Sequence, residues 1–529
     1  MRYYKGLIKF LSDPATYGLK NKNVNVIQTH ASYVFIAGNF VYKLKKPVNF
    51  GFLDFSTLGK RKYYCEQEVS LNSRLSNSYL GVVPVMYDRG NYSFQKNGVV
   101  CDYLVKMKRI PERYFVKNLL AKNKISKREI KRISDRLHKF YILQTPPDKL
   151  PKYGSPKHIK NTLKQNRELG EKFVGKTITR TAFETIKYFN NLFLRVNKER
   201  LERRVSNGYI KDCHGDLHLE HVIVRQNEIE IFDCIEFNNS FRFIDYVCDI
   251  AFLSMDLDYN ARFDLSRYFI SSILNKMEDS KTLRLVDFYK CYRAYVRGKV
   301  GSIRAEDKNL PKDEKVKSVQ NAKKYFQLST RYALFGSDPV VIVIFGLIAS
   351  GKSTFADRLS SELGCNVISS DVTRKNLAGI PLTQKAGEHL YDGLYSKNMT
   401  NKTYDEMFKQ AHEQLLLKNI VILDASFSAE SYRNKIINNS QKWKSNIIYI
   451  ETKTSDKVIK QRLLARDSNK SISDARIGLF KSFKQKFNRP SDCLKDIYFK
   501  TNTNENTDSD KNIKRLFREI IKRRISNNK

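Results

Sequence analysis

The sequence is short of acidic residues, of paired cysteines and of long apolar runs, and each shortage narrows what it can be. Its eight cysteines, Cys65, Cys101, Cys213, Cys234, Cys248, Cys291, Cys365 and Cys493, include no C-x-x-C pair. That speaks against a zinc ribbon or a disulfide scaffold and for a reducing cytosol. The opening MRYYKGLIKFLSD has no signal-length apolar core. No apolar run approaches the roughly 18 residues a membrane helix needs. The expectation is a soluble, cytoplasmic chain with no membrane partner. Acidic residues number 55 against 96 lysines and arginines, a net charge of +41. Such an excess suits nucleic acid or another polyanion. The lysines are spread throughout and form no single block, so genome-wide lysine bias, with phosphorylated ligands adding to it, is the favoured reading and a nucleic-acid partner the less favoured. With 41% hydrophobic residues the chain is not disordered, and its 529 residues suffice for two to four domains.

What is present is strongest after Pro339. The β-branched run Val340-Val-Ile-Val-Ile344 reads as a strand buried on both faces. It leads into Gly346, Leu347, Ile348, Ala349, Ser350, Gly351, Lys352, Ser353 and Thr354, which fits G-x-x-x-x-G-K-[ST] at every fixed position. Helix formers follow to Leu363, with Gly364 as the stop. Glycines let the backbone aim N–H groups at phosphate oxygens, and the helix presents its positive end to the same anion. Lys352 reaches the β- and γ-phosphates and Ser353 holds Mg²⁺. One domain, residues 337–529, is therefore expected to bind a nucleoside triphosphate with Mg²⁺. Asp424, ending the strand Ile420-Val-Ile-Leu, is the expected second metal partner. Asp371 and Arg374 follow a strand ending beside the phosphate loop and resemble the D-x-x-R of polynucleotide-kinase-like and zeta-toxin-like small-molecule kinases. The resemblance implies that Asp371 activates an acceptor hydroxyl and Arg374 grips the acceptor; a plain helix cap at Asp371 is the alternative. Arg462 and Arg466, four apart on one helical face, look like lid arginines that neutralise the transferring phosphoryl group.

In the first half, Asn23–Thr29, Tyr33–Ala37 and Phe40–Leu44 read as strands, followed by a helix from Lys60 to Leu75 and further strands at Gly81–Val85, Tyr92–Phe94 and Val99–Met107. Lys43 and Lys45 stand out inside a strand, and the helix offers Glu66 and Glu68. Ser126-Lys-Arg-Glu129 is a capping box opening a helix whose apolar positions are Ile130, Ile133, Leu137 and Tyr141. Next comes Cys213-His214-Gly215-Asp216-Leu-His218-Leu-Glu-His221, then a hairpin ending in Asp233-Cys-Ile-Glu236.

These segments resemble the aminoglycoside-phosphotransferase branch of the protein-kinase-like fold. The two halves together look like the bacterial two-domain proteins that join such a domain to a small P-loop kinase of the AAA-type predicted-kinase group. The resemblance implies an α+β protein-kinase-like domain over residues 1–336, with an N-lobe to about 107, and an α/β P-loop domain of parallel sheet flanked by helices. It implies that one of Lys43 and Lys45 pairs with one of Glu66 and Glu68, Lys43 with Glu68 by preference, and holds ATP phosphates, that Tyr103–Met107 grips the adenine edge, that Asp216 is the catalytic base, that Asp233 binds metal and that Asp249 braces the catalytic loop. The family's Asn falls at His221 here, and imidazole is a poor Mg²⁺ ligand. Either Glu236 supplies the missing oxygen, or one metal binds, or the lobe is catalytically weak. A rival reading gathers His214, His218 and His221 into a transition-metal cluster; the loop-hairpin-Asp context disfavours it.

The function implied is ATP-dependent transfer of a phosphoryl group to a hydroxyl acceptor, a small molecule by preference. The alternatives are a polynucleotide 5′-hydroxyl kinase and a P-loop kinase regulated by a catalytically weak kinase-like domain.

Overall fold

The computed structural model describes residues 2–20, 23–95, 97–144, 151–382, 393–467, 477–488, 497–504 and 509–526. By packing, the chain divides into two units. The first is Met1–Ile159, Glu199–Leu257 and Asp264–Leu283; the second is Lys160–Lys198, Asp258–Phe263 and Arg284–Lys529.

The first unit is an α+β arrangement. Strands β1 (Asn25–Gln28), β2 (Ser32–Ala37), β3 (Phe40–Lys45), β4 (Tyr79–Asp88), β5 (Asn91–Ser93) and β6 (Val99–Lys108) form one antiparallel sheet in the order β1-β2-β3-β6-β4-β5. Alternation along β3 decides its chemistry. Tyr42 and Leu44 face one side, where they join Phe35, Val85 and Leu104. Lys43 and Lys45, two apart, therefore share the other face. Under the apolar face lies a helix, Arg2–Ser12, that was not read from the sequence. Its Leu7 and Leu11, a helical turn apart, are fully buried there, each worth roughly 1.5–3 kcal/mol. On the lysine face sits the helix Leu58–Asn72, whose Thr57 side chain accepts from the Lys60 amide and whose Cys65 packs with Tyr79 and Val105.

Tyr103–Met107, expected as the adenine hinge, lies inside β6, flanked by β3 and β4. A strand flanked on both sides spends its amides and carbonyls on its neighbours. The connector that leaves the sheet is Arg109–Pro111 instead.

The rest of the first unit is helical with two small two-stranded sheets. The capping box at Ser126 and Glu129 is present, and the helix Lys127–Ile142 buries Ile130, Ile133, Leu137 and Tyr141 as its spacing demands. Strand β7 (Ile210–Asp212) pairs with β10 (Phe243–Asp245), and β8 (Val222–Val224) with β9 (Ile229–Ile231). The loop 213–221 thus runs from β7 of one pair to β8 of the other.

The second unit contains an α/β sheet. Strands β11 (Val340–Phe345), β12 (Val367–Ser369), β13 (Ile420–Asp424), β14 (Asn446–Lys453) and β15 (Tyr498–Asn502) run parallel in the order β12-β13-β11-β14-β15. Every residue of β11 is buried, as a central parallel strand requires. The helix Lys352–Leu363 follows it and stops at Gly364, whose φ of 61° is the left-handed closure glycine accepts without strain.

Packing does not follow the motif boundary at 336/337. The helices Arg180–Val196 and Lys312–Phe335 pack on the closing helix Ser509–Ser526, which buries Ile513, Leu516, Phe517, Ile520 and Ile521. The Arg331 side chain donates to the Leu363 and Lys418 carbonyls at 2.6 and 3.1 Å. Among the described residues, no helix is long and apolar enough to cross a membrane.

Candidate functional site

In the first unit the two strand lysines meet a single helix carboxylate. Lys43 Nζ lies 2.8 Å from Glu68 Oε1 and 2.8 Å from Asp233 Oδ1. Lys45 Nζ lies 2.6 Å from Glu68 Oε2 and also bonds Glu236. Glu68 is fully buried, and burial alone would raise its pKa; Lys43 and Lys45 overcome that and lower it. Asp233 is lowered in the same way, by Lys43 against burial. Glu236 keeps a raised pKa because burial dominates. Glu66 is exposed, 3.8 Å from Lys62. Glu236, expected as a metal ligand, has one oxygen taken by Lys45, which sits on the far side of Glu68 from Lys43.

The loop 213–221 is braced as expected. Asp249 accepts from the His214 amide at 3.0 Å, the Gly215 amide at 2.9 Å and the Tyr141 hydroxyl at 2.8 Å. Asp256, which carried no signal in the sequence, fixes the Leu219 amide at 3.0 Å. Gly215 has φ of 86°, and a Cβ there would stand 2.8 Å from the Phe241 carbonyl oxygen. Gly215→Ala is therefore expected to cost about 1–3 kcal/mol, measured by urea denaturation.

Asp216 is half-buried, with His218 Nε2 at 3.4 Å from its Oδ2. Its carbonyl oxygen accepts from His221 Nδ1 at 2.9 Å. The other nitrogen of His221, Nε2, lies 3.5 Å from Asp233 Oδ2. Burial, aided by His218, pulls the His221 pKa down to about 4. Asp233 holds φ of 62°, a left-handed conformation uncommon outside glycine and found at functional positions. The arrangement brings together Lys43, Asp233 and Asp216, the three residues expected from the sequence to serve phosphate, metal and acceptor proton. The donor pair at the aspartate is mixed, one nitrogen and one oxygen, and does not suit a hard oxygen-seeking cation such as Mg²⁺.

In the second unit the phosphate loop opens from the carboxyl end of β11, the edge where parallel sheets bind ligands. Gly346, Ala349 and Gly351 hold φ of 148°, 55° and 84°. Lys352 Nζ donates to the Leu347 carbonyl at 2.9 Å and the Gly346 carbonyl at 3.3 Å. Ile348 and Ala349 pack with Ile459, Leu463 and Phe480, which pins the loop's outer limb. Its inner limb is tied by hydroxyls from distant strands: Ser350 Oγ lies 2.7 Å from Thr452 Oγ1, and the Ser350 carbonyl accepts from Thr454 at 3.2 Å and from Thr503.

Register places Asp424 beside Ile344 and Ser369. Ser353 Oγ donates to Asp424 Oδ2 at 2.6 Å. Asp424 is buried, which raises its pKa against the pull of Lys352. These hydroxyl and carboxylate oxygens do suit Mg²⁺. Thr354 is exposed in the first turn of the helix. Asp371 stands in the first turn of the helix Ser370–Leu377, whose N-cap is Ser369. Arg374 is buried; its Nη1 donates to the Leu394 carbonyl at 2.8 Å and Thr400 Oγ1 at 3.2 Å, and its guanidinium lies over Tyr395. Arg462 reaches the phosphate loop, with Nη1 3.4 Å from the Ala349 carbonyl and Nη2 on the Thr503 carbonyl. Arg466 is in the same helix, Asp456–Asp467, but its side chain lies outside the described residues.

Residues 341–490 match the family described as AAA domain. Over 457 residues the chain is 27% identical to the protein Rv2004c of Mycobacterium tuberculosis and to Mb2027c of Mycobacterium bovis, both described as uncharacterized; the alignment covers 86% of this chain and 88% of each relative. Among solved structures, a choline kinase from Cryptosporidium parvum aligns with 63% of this chain and 95% of its own (12% identity, TM-score 0.39). A GDP complex of aminoglycoside 2′-phosphotransferase-IIIa aligns with 61% of this chain and 97% of its own (13%, 0.39). A gluconokinase from Sinorhizobium meliloti aligns with 36% and 95% (17%, 0.26). The chain thus joins an α+β unit to a parallel P-loop sheet carrying an AAA-domain match, and is similar through most of its length to the two mycobacterial proteins.

Proposed function

We propose that this chain is an ATP-dependent phosphotransferase that moves a phosphoryl group to a hydroxyl on a small molecule, with a nucleotide site in each unit. The observation that carries the reading is the triad Lys352, Ser353 and Asp424 at the carboxyl edge of β11 and β13, with Ser353 and Asp424 2.6 Å apart. Mg²⁺ bound by these two residues supplies charge neutralisation for the phosphates. Lys352 swings from its own loop carbonyls to a phosphate oxygen. Asp371 accepts the proton of the acceptor hydroxyl, and Arg462, already against the phosphate loop, offsets charge on the transferred group. In the first unit Lys43 orients phosphates, Asp233 holds the cation and Asp216 takes the acceptor proton.

Asp371→Asn is the test. Nucleotide affinity should stay near the wild-type value while acceptor-dependent transfer falls by about 10² to 10⁴, measured with pooled sugars, nucleosides, aminoglycosides and 5′-hydroxyl oligonucleotides as acceptors. Lost ATP binding with transfer intact would make Asp371 a structural residue. Labelling confined to oligonucleotides, weakening steeply with salt, would replace the small-molecule reading by the polynucleotide one.

A further inference from the structure

We propose that the cation site of the first unit takes a nitrogen-tolerant divalent transition ion in preference to Mg²⁺, with His221 Nε2 and Asp233 Oδ2 as its protein ligands. This rests on reading the first unit as a phosphate-binding site.

The tautomer of His221 follows from its neighbours. Nδ1 lies 2.9 Å from the Asp216 carbonyl oxygen. A carbonyl only accepts, so Nδ1 carries the hydrogen and Nε2 presents a lone pair. That lone pair faces Asp233 Oδ2 at 3.5 Å, too long for an N–H···O hydrogen bond. Two electron-rich atoms thus point at the same small space. Two ligands each about 2.1 Å from one cation stand roughly 3.0 Å apart at a right angle and roughly 3.4 Å apart at a tetrahedral angle. The observed gap needs a closure of at most a few tenths of an ångström.

The surroundings are those of a built ligand pair. The backbone carbonyl on Nδ1 is the usual device that orients a metal-binding imidazole and fixes its tautomer. The second oxygen of Asp233 is held by Lys43 at 2.8 Å, so the carboxylate is aimed as well. The His221 side chain is 13% exposed while that of Asp233 is 40% exposed, so the pair opens to solvent on the carboxylate side, leaving room for phosphate oxygens and water to complete the shell. Asp216 lies toward the Nδ1 edge of the ring, 3.7 Å away, and stays available as a base. An imidazole suits transition ions and not Mg²⁺.

The experiment uses the full chain carrying Lys352→Ala, with Mn²⁺ as the probe and a non-hydrolysable ATP analogue. Pulsed electron paramagnetic resonance reads ¹⁴N coupling from an imidazole and ³¹P coupling from phosphate; calorimetry reads Mn²⁺ and Mg²⁺ affinity. Wild-type His221 should give ¹⁴N coupling and Mn²⁺ binding at least about tenfold tighter than Mg²⁺, the scale on which changes around a metal alter its affinity. His221→Asn should lose the ¹⁴N coupling and the preference while keeping Mg²⁺ binding, and Asp233→Asn should lose the site. ³¹P coupling sensitive to Asp233→Asn but without ¹⁴N coupling keeps the nucleotide reading and overturns the imidazole ligand. ¹⁴N coupling that His221→Asn removes, without ³¹P coupling, keeps the metal pair and overturns the nucleotide reading. No Asp233-dependent binding of either ion overturns both.

Discussion

Lys45→Met is expected to lower the stability of the first unit by about 3–5 kcal/mol, the usual cost of removing one partner from a buried ion pair. Lys45 is 1% exposed and stands between two buried carboxylates, Glu68 and Glu236. Methionine matches its length and carries no charge. It would leave Glu236 without its bonded cation, and both Glu236 and Glu68 with Lys43 as the remaining positive charge nearby. Lys43→Met is the contrasting variant. Its side chain is 18% exposed and it reaches Asp233 as well as Glu68, so its loss should weaken nucleotide binding before it weakens folding. Urea denaturation followed by circular dichroism, with hydrogen exchange across the helix Leu58–Asn72, separates the two. Equal destabilisation by both substitutions would mean that neither lysine is reserved for ligand.

Lys352→Ala should cut ATP turnover at the phosphate loop by on the order of 10²–10³, the range seen when one preorganised charge donor is removed from a transition state. Its stability cost should be small. Its amine bonds carbonyls of its own loop at 2.9 and 3.3 Å, and that loop is independently pinned by Ile348, Ala349 and the threonines around Ser350. The measurement is acceptor-dependent ATP consumption in an Asp216→Asn background, beside a thermal melt. Undiminished turnover in the double variant would remove Lys352 from the chemistry.

What could be read ahead of the structure was what lies contiguous in the chain. Strand, glycines, Lys352 and helix are consecutive, so the phosphate loop declared itself whole. The same holds for His214-Gly215-Asp216 and for the hairpin that delivers Asp233. Lys43 and Lys45 were visible as charges inside a strand, but no local rule says that both close on Glu68, since that depends on how the helix lies on the sheet. Tyr103–Met107 was misplaced although the strand itself was legible to within one residue: which strands flank β6 is set by sheet topology, and between β3 and β4 its backbone groups are already used. The helix Arg2–Ser12 did carry its signal, Leu7 and Leu11 at helical spacing. The threonines that hold Ser350 lie more than a hundred residues along the chain, beyond any pattern a window can see.

The mismatch between the motif boundary and the packing boundary bears on how such a chain could be taken apart. A gene cut after codon 336 would deliver a fragment with an intact phosphate loop but without the helices that cover its last one. Arg524 would lose the Tyr332 carbonyl at 2.7 Å and Asp287 at 2.7 Å, Arg518 would lose the Tyr188 ring beneath it, and the stripe from Ile513 to Ile521 would lose the cover that Arg180–Val196 and Lys312–Phe335 give it. Fission at that codon, or recombination that swaps the second half alone, would select for a new cover on the terminal helix. Residues 160–198 and 284–336 would have to travel with the phosphate loop for the transplanted piece to keep its own core.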